Sequence, residues 1–267
     1  SFDNMFAHHL LFPELLKGLD FQCSVYTDHH MYWDYDRGND KDVRTYNCYD
    51  CVVTWEAGEE IKSQLVERNQ MEFYKAIIQR VVPALTRVQS RGVLIDEKAR
   101  LEIKVETEKE IEECKVKLSG LLGYELNPNS PKQVPELVYN KWKLPRQFKR
   151  GQTNATCDED ALKALIKKCR DQSQVEILKT IILARQKRVL LSTFVEMPLK
   201  DGRTYTSYNP AGTVTGRLSS SSTFDGFGGN LQNIPRGSFR RIYRADPGKV
   251  LIRADLSQAE YRVLIWK

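Results

Sequence analysis

Through the first two-thirds of the chain, apolar residues return every three or four positions, the spacing of helices that bury one face. "NMFAHHLL" and "YDCVVTWEAGEEIKSQL" read as helical, and the second carries Val52, Val53, Trp55, Ile61 and Leu65 as its apolar face. "FYKAIIQRVVPALTRVQSRG" predicts a helix ending at Gly92, with Pro83 kinking it or marking a boundary. A tight turn then leads to Asp96, the N-cap of a long helix reaching Gly123. Leu101, Val105, Ile111, Cys114, Leu118 and Leu121 make a narrow stripe on it, with Glu and Lys around the rest. A helix patterned this way packs on one side only.

Two capping boxes follow: Ser130 with Pro131 and Gln133, and Thr156 with Glu159. The helix beginning near Asp158 carries Leu162, Leu165, Ile166 and Cys169, and a further run carries Ile177, Leu178, Ile181, Ile182, Val189 and Leu190. Long, one-sided helices able to pair antiparallel predict an arm on a larger body. After about residue 200, alternating Thr, Tyr and Val with Gly and Pro punctuation predict strands and loops. There Val250, Leu251 and Ile252 read as a strand running into Asp255, followed by a helix. The fold class is α+β, in three parts: 1–70, 71–200 and 201–267.

The composition, 41% hydrophobic and 28% charged, is that of an ordinary globular protein. No apolar run is long enough for a membrane span and no secretion signal is evident, so a cytoplasmic setting without membrane is expected. The start at "SFDNMF" suggests a piece of a longer protein. The six cysteines lack the spacing of a disulfide framework, which also favours a reducing compartment. Cys48 and Cys51 form a lone CxxC, and the pairs His8–His9 and His29–His30 are adjacent, so neither predicts a metal site. The net charge of +6 permits a polyanionic partner without requiring one. Its basic residues concentrate in "KWKLPRQFKRGQ" and "RGSFRRIYR".

"TVTGRLSSSS" and the nearby "NLQNIP" place one arginine, several hydroxyls and three amides together. Such groups suit a nucleic-acid duplex, reaching phosphates and groove edges. On composition alone a polar, turn-rich loop is the simpler reading. Asp255, at the end of an apolar run in "ADLSQAEYR", adds a carboxylate where metal-dependent sites often lie.

Taken in order, "TGRLSS", "NLQNIP" and "DLSQAEYR" closely resemble the motifs of family A DNA polymerases of the DNA polymerase I type, the last matching the pattern D-x-S-Q-x-E-x-R. "GVLID", "LNPNSPKQVPELVY", "ATCDEDALKAL" and "LLSTFVE" resemble that family's thumb. "FDNMFAHHLLFPELLKGLDF" and "YNCYD" resemble the end of its 3′–5′ exonuclease domain. The resemblance implies a partial exonuclease-like α/β tail over 1–70, a long-helix thumb over 71–200, and the first β-rich segment of a polymerase palm over 201–267.

It also implies roles. Asp255, with the Leu256 carbonyl, would hold catalytic Mg²⁺ in a two-metal site, and Glu260 would be the steric gate that excludes a ribose 2′-OH. Gln258 and Arg262 would support the nucleotide site. Arg217 would contact the minor groove at the primer terminus, with Asn230, Gln232 and Asn233 along the template–primer path. Asn129, Ser130, Lys132 and Gln133 would meet the duplex backbone, although a plain helix cap explains them equally well. Tyr46 and Asp50 match the exonuclease pattern Y-x-x-x-D, Asp50 as a metal ligand and Tyr46 orienting water. The implied partners are primer–template DNA and deoxynucleoside triphosphates.

The sequence also departs from the family. "SSTFDGFGG" is a longer, Gly-rich loop that phage-type members resemble better. The first two exonuclease motifs, the fingers helix and the second palm carboxylate do not occur in these 267 residues. One carboxylate holds Mg²⁺ weakly, so the isolated chain is expected neither to polymerise nor to proofread. The alternative expectation is a non-catalytic DNA-binding subunit completed by a separately encoded C-terminal polymerase part.

Overall fold

The computed structural model describes residues 2–29, 32–33, 39–151, 153–169 and 171–266. His30 of the His29–His30 pair and Gln152 of the first basic stretch lie outside the described residues. The N-terminal half runs α1 (Asn4–Leu11), α2 (Leu19–Tyr26), α3 (Asp40–Glu67), α4 (Met71–Phe73), a π-helical turn (Tyr74–Ile78) and α5 (Gln79–Arg91). Next come β1 (Val93–Ile95), α6 (Glu97–Leu122), α7 (Gln133–Pro135) with a π-helical turn (Glu136–Lys141), α8 (Glu159–Ile166) and α9 (Gln172–Leu190). The rest is a π-helical turn (Leu191–Val195), β2 (Arg203–Thr204), β3 (Ser207–Asn209), β4 (Ser219–Ser221), two 3₁₀ turns (Leu231–Asn233, Ser238–Ile242), β5 (Tyr243–Arg244) and α10 (Ala259–Trp266). These elements gather into two compact units, Ser1–Gly92 with Tyr205–Asn233, and Val93–Thr204 with Ile234–Lys267.

In the first unit Ala7, Leu11, Ile61, Leu65 and Tyr74 form the core. The Asp3 carboxylate caps α1 by accepting from the Phe6 amide at 3.1 Å. The buried face of α3 is Val53, Ala57, Gly58, Ile61 and Leu65, while Val52 and Trp55 are exposed, which corrects the sequence-based face. Small residues decide this: a Cβ on Gly58 would sit 2.9 Å from the Asn4 side chain, so close approach replaces bulk. Pro83 lies inside α5 without ending it, and the irregular turn falls upstream at Tyr74–Ile78. α5 stops at Gly92, whose φ of 61° a side chain would oppose.

The second unit is built on α6. Asp96 caps it, accepting from the Ala99 amide at 3.1 Å, and Gly123 ends it in the left-handed conformation. Its buried face is Ile103, Thr107, Ile111, Cys114 and Leu118, whereas Leu101 and Val105 of the expected stripe face solvent. α6 and α9 pair antiparallel, as their contacts at successive levels show. Arg100 donates to the Val195 carbonyl, Lys187 meets Glu110 at 2.6 Å, and Lys117 meets Glu176 at 2.7 Å. At one end Leu118, Val138, Leu162, Leu165, Leu178 and Ile181 form one core. At the other, Ile103, Leu191, Phe194 and Ile242 form a second, closed by the antiparallel sheet β2–β1–β5.

Two further expectations change. Asp158, not Thr156, caps α8, accepting from the Ala161 amide at 2.9 Å; Thr156 instead braces the Asp158 amide. Glu159 turns outward to Lys163 and Gln186. Val250, Leu251 and Ile252, expected as a strand, are exposed and form no strand. A strand exists only through its ladder, and among the described residues no partner pairs with this run.

Candidate nucleic-acid interface

In the first unit β3 and β4 pair antiparallel, with Ser207 opposite Ser221 and Asn209 opposite Ser219. The "TVTGR" residues fill the connection between them. The Asn209 side chain accepts from the Ala211 amide at 2.8 Å, and a Cβ on Gly212 would collide with the Ser219 hydroxyl. Gly216 takes a φ of 74°, and the Thr213 hydroxyl donates to the Arg217 carbonyl at 2.7 Å. Arg217 projects, exposed, from a loop whose backbone is fixed at both ends.

The second motif folds back onto the first. The Ser220 hydroxyl donates to Asn230 Oδ1 at 2.6 Å, and the same oxygen accepts from the Gln232 amide at 3.1 Å. Gln232 Nε2 donates to the Leu218 carbonyl at 3.1 Å. Arg217, Asn230, Gln232 and Asn233 thus belong to one polar surface, on which Asn230 is the internal strut and the other three are exposed. Behind it, Gln89 of α5 accepts from the Tyr208 amide at 2.9 Å. His9 of α1 is buried against the loop. Burial, with Lys17, holds it below its ordinary value, and a hydrogen bond to the Thr213 backbone opposes the shift.

In the second unit Asn129, Ser130, Lys132 and Gln133 form a self-braced turn. Ser130 Oγ accepts from the Gln133 amide at 3.1 Å, but α7 begins only at Gln133 with Lys132 at its N-cap position, so Ser130 and Pro131 lie in the turn before the helix rather than capping and opening it. Gln133 reaches back past Ser130 to the Asn127 amide, at 2.8 Å, so the capping box is wider than expected. Asn129, Lys132 and Gln133 are exposed. Arg185 of α9 holds this turn from beneath, donating to the Pro128 carbonyl at 2.6 Å and also to the Cys157 carbonyl. A lone arginine in a helix gives no sequence signal of such a role.

Asp255 and Leu256 lie in an exposed segment, and among the described residues the Asp255 carboxylate has no ion-pair or hydrogen-bond partner. Gln258 adopts a φ of 51°, and its carbonyl accepts from the Arg262 amide at 3.0 Å as α10 begins. Glu260 falls in the first turn of α10, where the helix dipole favours a carboxylate. Among the described residues no three His, Cys, Asp or Glu side chains assemble as a metal site. Asp255 and Leu256 therefore fit one corner of a Mg²⁺ shell, a carboxylate and a carbonyl, and these residues do not complete it.

Tyr46 and Asp50 stand one turn apart on α3. Tyr32, which sequence reasoning did not single out, donates its hydroxyl to Asp50 Oδ1 at 2.8 Å. Its ring centroid lies 5.6 Å from Tyr46 and 5.2 Å from Tyr49. Burial, then the bond to Asp50, pushes the Tyr32 hydroxyl well above the usual range. Asp50 is thus already engaged as an acceptor.

The family model for DNA polymerase family A matches residues 97–265. DNA polymerase I of Caldicellulosiruptor bescii is 32% identical over 212 residues, which is 75% of this chain and 23% of that protein. DNA polymerase I of Geobacillus stearothermophilus is 31% identical over 224 residues, or 80% of this chain and 24% of that one. The chain therefore spans about a quarter of the length of the curated relatives it matches. Among solved structures, the POL domain of Pol1 from M. smegmatis, in complex with DNA primer-template and dNTP, superposes with a TM-score of 0.68 at 23% identity. That likeness covers 90% of this chain and 40% of that one, and it shows the fold: mixed helices and small sheets arranged as in a polymerase domain.

Proposed function

The chain belongs to DNA polymerase family A, and on that premise we propose that it is the part of a template-directed polymerase that grips primer–template DNA and supplies the first palm carboxylate. The parent reaction is transfer of a deoxynucleotide to a primer 3′-OH with release of pyrophosphate. Residues 1–70 are read as the exonuclease-like tail, 71–200 as the thumb and 201–267 as the start of the palm. One observation carries the reading: "TGRLSS" and "NLQN" are tied by Asn230 and Gln232 into a single exposed surface bearing Arg217.

On that surface Arg217 donates into the minor groove, where the acceptors of correctly paired bases occupy similar positions. Gln232 and Asn233 flank it with amide donors. The turn at Asn129–Gln133 meets phosphates with Lys132 and backbone amides, giving salt-dependent and sequence-independent affinity. Asp255 and the Leu256 carbonyl would be two of the ligands for catalytic Mg²⁺, which would lower the pKa of the primer hydroxyl and offset the charge developing on phosphate. Glu260 crowds the sugar position and selects deoxyribose, with Gln258 and Arg262 beside it. A cytoplasmic setting follows from that substrate and is supported by the free cysteines. Among the described residues no helix is long and apolar enough to cross a membrane. The length of the "SSTFDGFGG" loop supports a place near phage-type members.

Fluorescence anisotropy with labelled primer–template DNA tests the reading. The chain should bind more weakly as salt rises, and Arg217→Ala should reduce affinity about tenfold, the worth of one good groove contact. Binding that is absent at low salt, or indifferent to Arg217, would overturn it.

A further inference from the structure

The departure from the family between the two motifs is a built element. Thr223 closes the 223–227 turn on itself: its hydroxyl donates to Asp225 Oδ1 at 2.6 Å and accepts from the Phe227 amide at 3.1 Å. The backbone agrees, with the Thr223 amide donating to the Phe227 carbonyl at 3.0 Å and the Gly226 amide to the Thr223 carbonyl at 3.0 Å. Gly226 and Gly228 take φ values of 82° and 69°. A Cβ on Gly228 would collide with the Tyr205 backbone, and the Gly229 amide donates to the Tyr205 carbonyl at 3.0 Å. The loop is thereby latched to the segment that leads into β3, and its glycines are required by close approach rather than by looseness.

At the tip of this latched turn the Phe224 side chain is fully exposed. A large aromatic held clear of its own fold, on a backbone that hydrogen bonds keep fixed, is arranged for contact with something else. The position of the loop says what that is. Its N-terminal foot is β4, which begins two residues after Arg217, and its C-terminal foot is Asn230, bonded to Ser220 across the base. Phe224 thus stands on the loop that joins the two halves of the surface proposed to meet DNA, and it adds the apolar, flat group that Arg217, Gln232 and Asn233 lack.

We propose that Phe224 is an aromatic nucleic-acid contact, stacking on a base exposed at the primer–template junction next to the groove that Arg217 reads. This rests on the polymerase reading of the same surface and deepens it. Stacking is tolerant of base identity because every base offers a π face, and an apolar contact adds affinity without releasing counterions. The preformed turn spares the ordering cost that a flexible loop would incur on binding.

The test compares the 267-residue chain with Phe224→Ala and Phe224→Trp on primer–template DNA carrying 2-aminopurine at the first unpaired template position. Phe224→Ala should weaken binding about fivefold or more, the lower end of base–aromatic stacking, with the slope of affinity against salt unchanged. It should also abolish the 2-aminopurine fluorescence change that the unaltered chain produces, while Phe224→Trp restores both. Phe224 is solvent-exposed, so the melting temperature should not move, and a circular-dichroism melt checks this. Equal affinity and an equal fluorescence change for Phe224→Ala overturn this inference alone. A lost self-association in sedimentation with unchanged DNA binding assigns the ring to a protein contact and also overturns it. Failure of the unaltered chain to bind DNA overturns the polymerase reading as well.

Discussion

Gln232 donates from Nε2 to the main-chain carbonyl of Leu218 at 3.1 Å, joining two motifs that stand 14 residues apart. The bond crosses the base of the loop that carries Phe224 and fixes the backbone next to Arg217. Gln232 is exposed, so the freed carbonyl in Gln232→Ala regains water, and the stability cost should stay near 0.5–1 kcal/mol. Affinity for primer–template DNA should fall further, about tenfold, because an amide donor and the placement of Arg217 are lost together. Anisotropy titrations beside thermal melts separate the two effects. Equal losses in both would make Gln232 a structural residue only.

Asp255 has no partner in the fold among the described residues, so its value lies outside stability. Asp255→Asn should change unfolding free energy by less than about 0.5 kcal/mol, as for other exposed substitutions. In a polymerase that contains these residues, Mg²⁺-dependent primer extension should drop at least about a hundredfold, beyond what loss of an outer partner costs. Primer–template binding should remain nearly intact. An Asp255→Asn enzyme that extends primers normally would remove Asp255 from the site.

Legibility followed the range of the forces involved. Asp96 and Gly123 marked the ends of α6 correctly because capping is local chemistry, written in the residues at the ends. The stripe between them was misplaced by one face in its first half. Thr107 hides its hydroxyl by donating to the Ile103 carbonyl at 2.7 Å and so is buried, while Leu101 and Val105 are left to solvent. Ala57 and Gly58 on α3 carry little hydrophobic signal although they are buried, because small residues pack by proximity. Val250–Ile252 had strand composition, but composition does not supply a ladder. In the candidate site, Arg217 and the amides are pointed to by the family resemblance rather than by composition, and the fold brings them onto one polar surface. Tyr32 and Arg185 were not legible, since what they touch, Asp50 and the Pro128 carbonyl, depends on tertiary packing.

Arg185 anchors the turn proposed to meet the duplex backbone. Its guanidinium serves two carbonyls in different directions, Pro128 and Cys157, which the single ammonium of lysine cannot copy. Arg185→Met should cost about 2–4 kcal/mol, since two partly buried acceptors lose charged donors. Arg185→Lys should recover less than half of that. Urea denaturation measures both, with an unchanged m-value showing that the fold is kept. DNA affinity should fall with stability if the turn is loosened, while the response to Arg217→Ala should persist because that residue lies elsewhere in the chain.

Two buried histidines should dominate the pH response just below neutrality. His8 is fully buried, with Nε2 3.0 Å from the Leu16 carbonyl and Nδ1 2.6 Å from the Tyr26 hydroxyl. The carbonyl can only accept, so the neutral ring carries its proton on Nε2 and accepts a hydrogen bond from the Tyr26 hydroxyl at Nδ1. Burial pushes that hydroxyl up to about 12, so Tyr26 stays a donor throughout. Burial likewise lowers both His8 and His9 from 6.5, and the positive Lys17 adds to it. Folding thus favours the neutral rings. As pH falls through about 6.5 the unfolded chain takes up protons first, and stability declines until the lowered native values are reached. Depressed carboxyls such as Asp158 and Glu159 lose their contribution only below their ordinary values of 3.8 and 4.5, outside this window. The urea midpoint should therefore drop between pH 7.5 and 5.5. A His8→Asn/His9→Asn variant, less stable at pH 7.5, should show a shallower drop. A flat midpoint would mean that folding leaves the two rings' protonation unchanged, and one rising towards pH 5.5 would mean that the native rings are charged, reversing the hydrogen bonding assigned to Tyr26; either overturns the prediction.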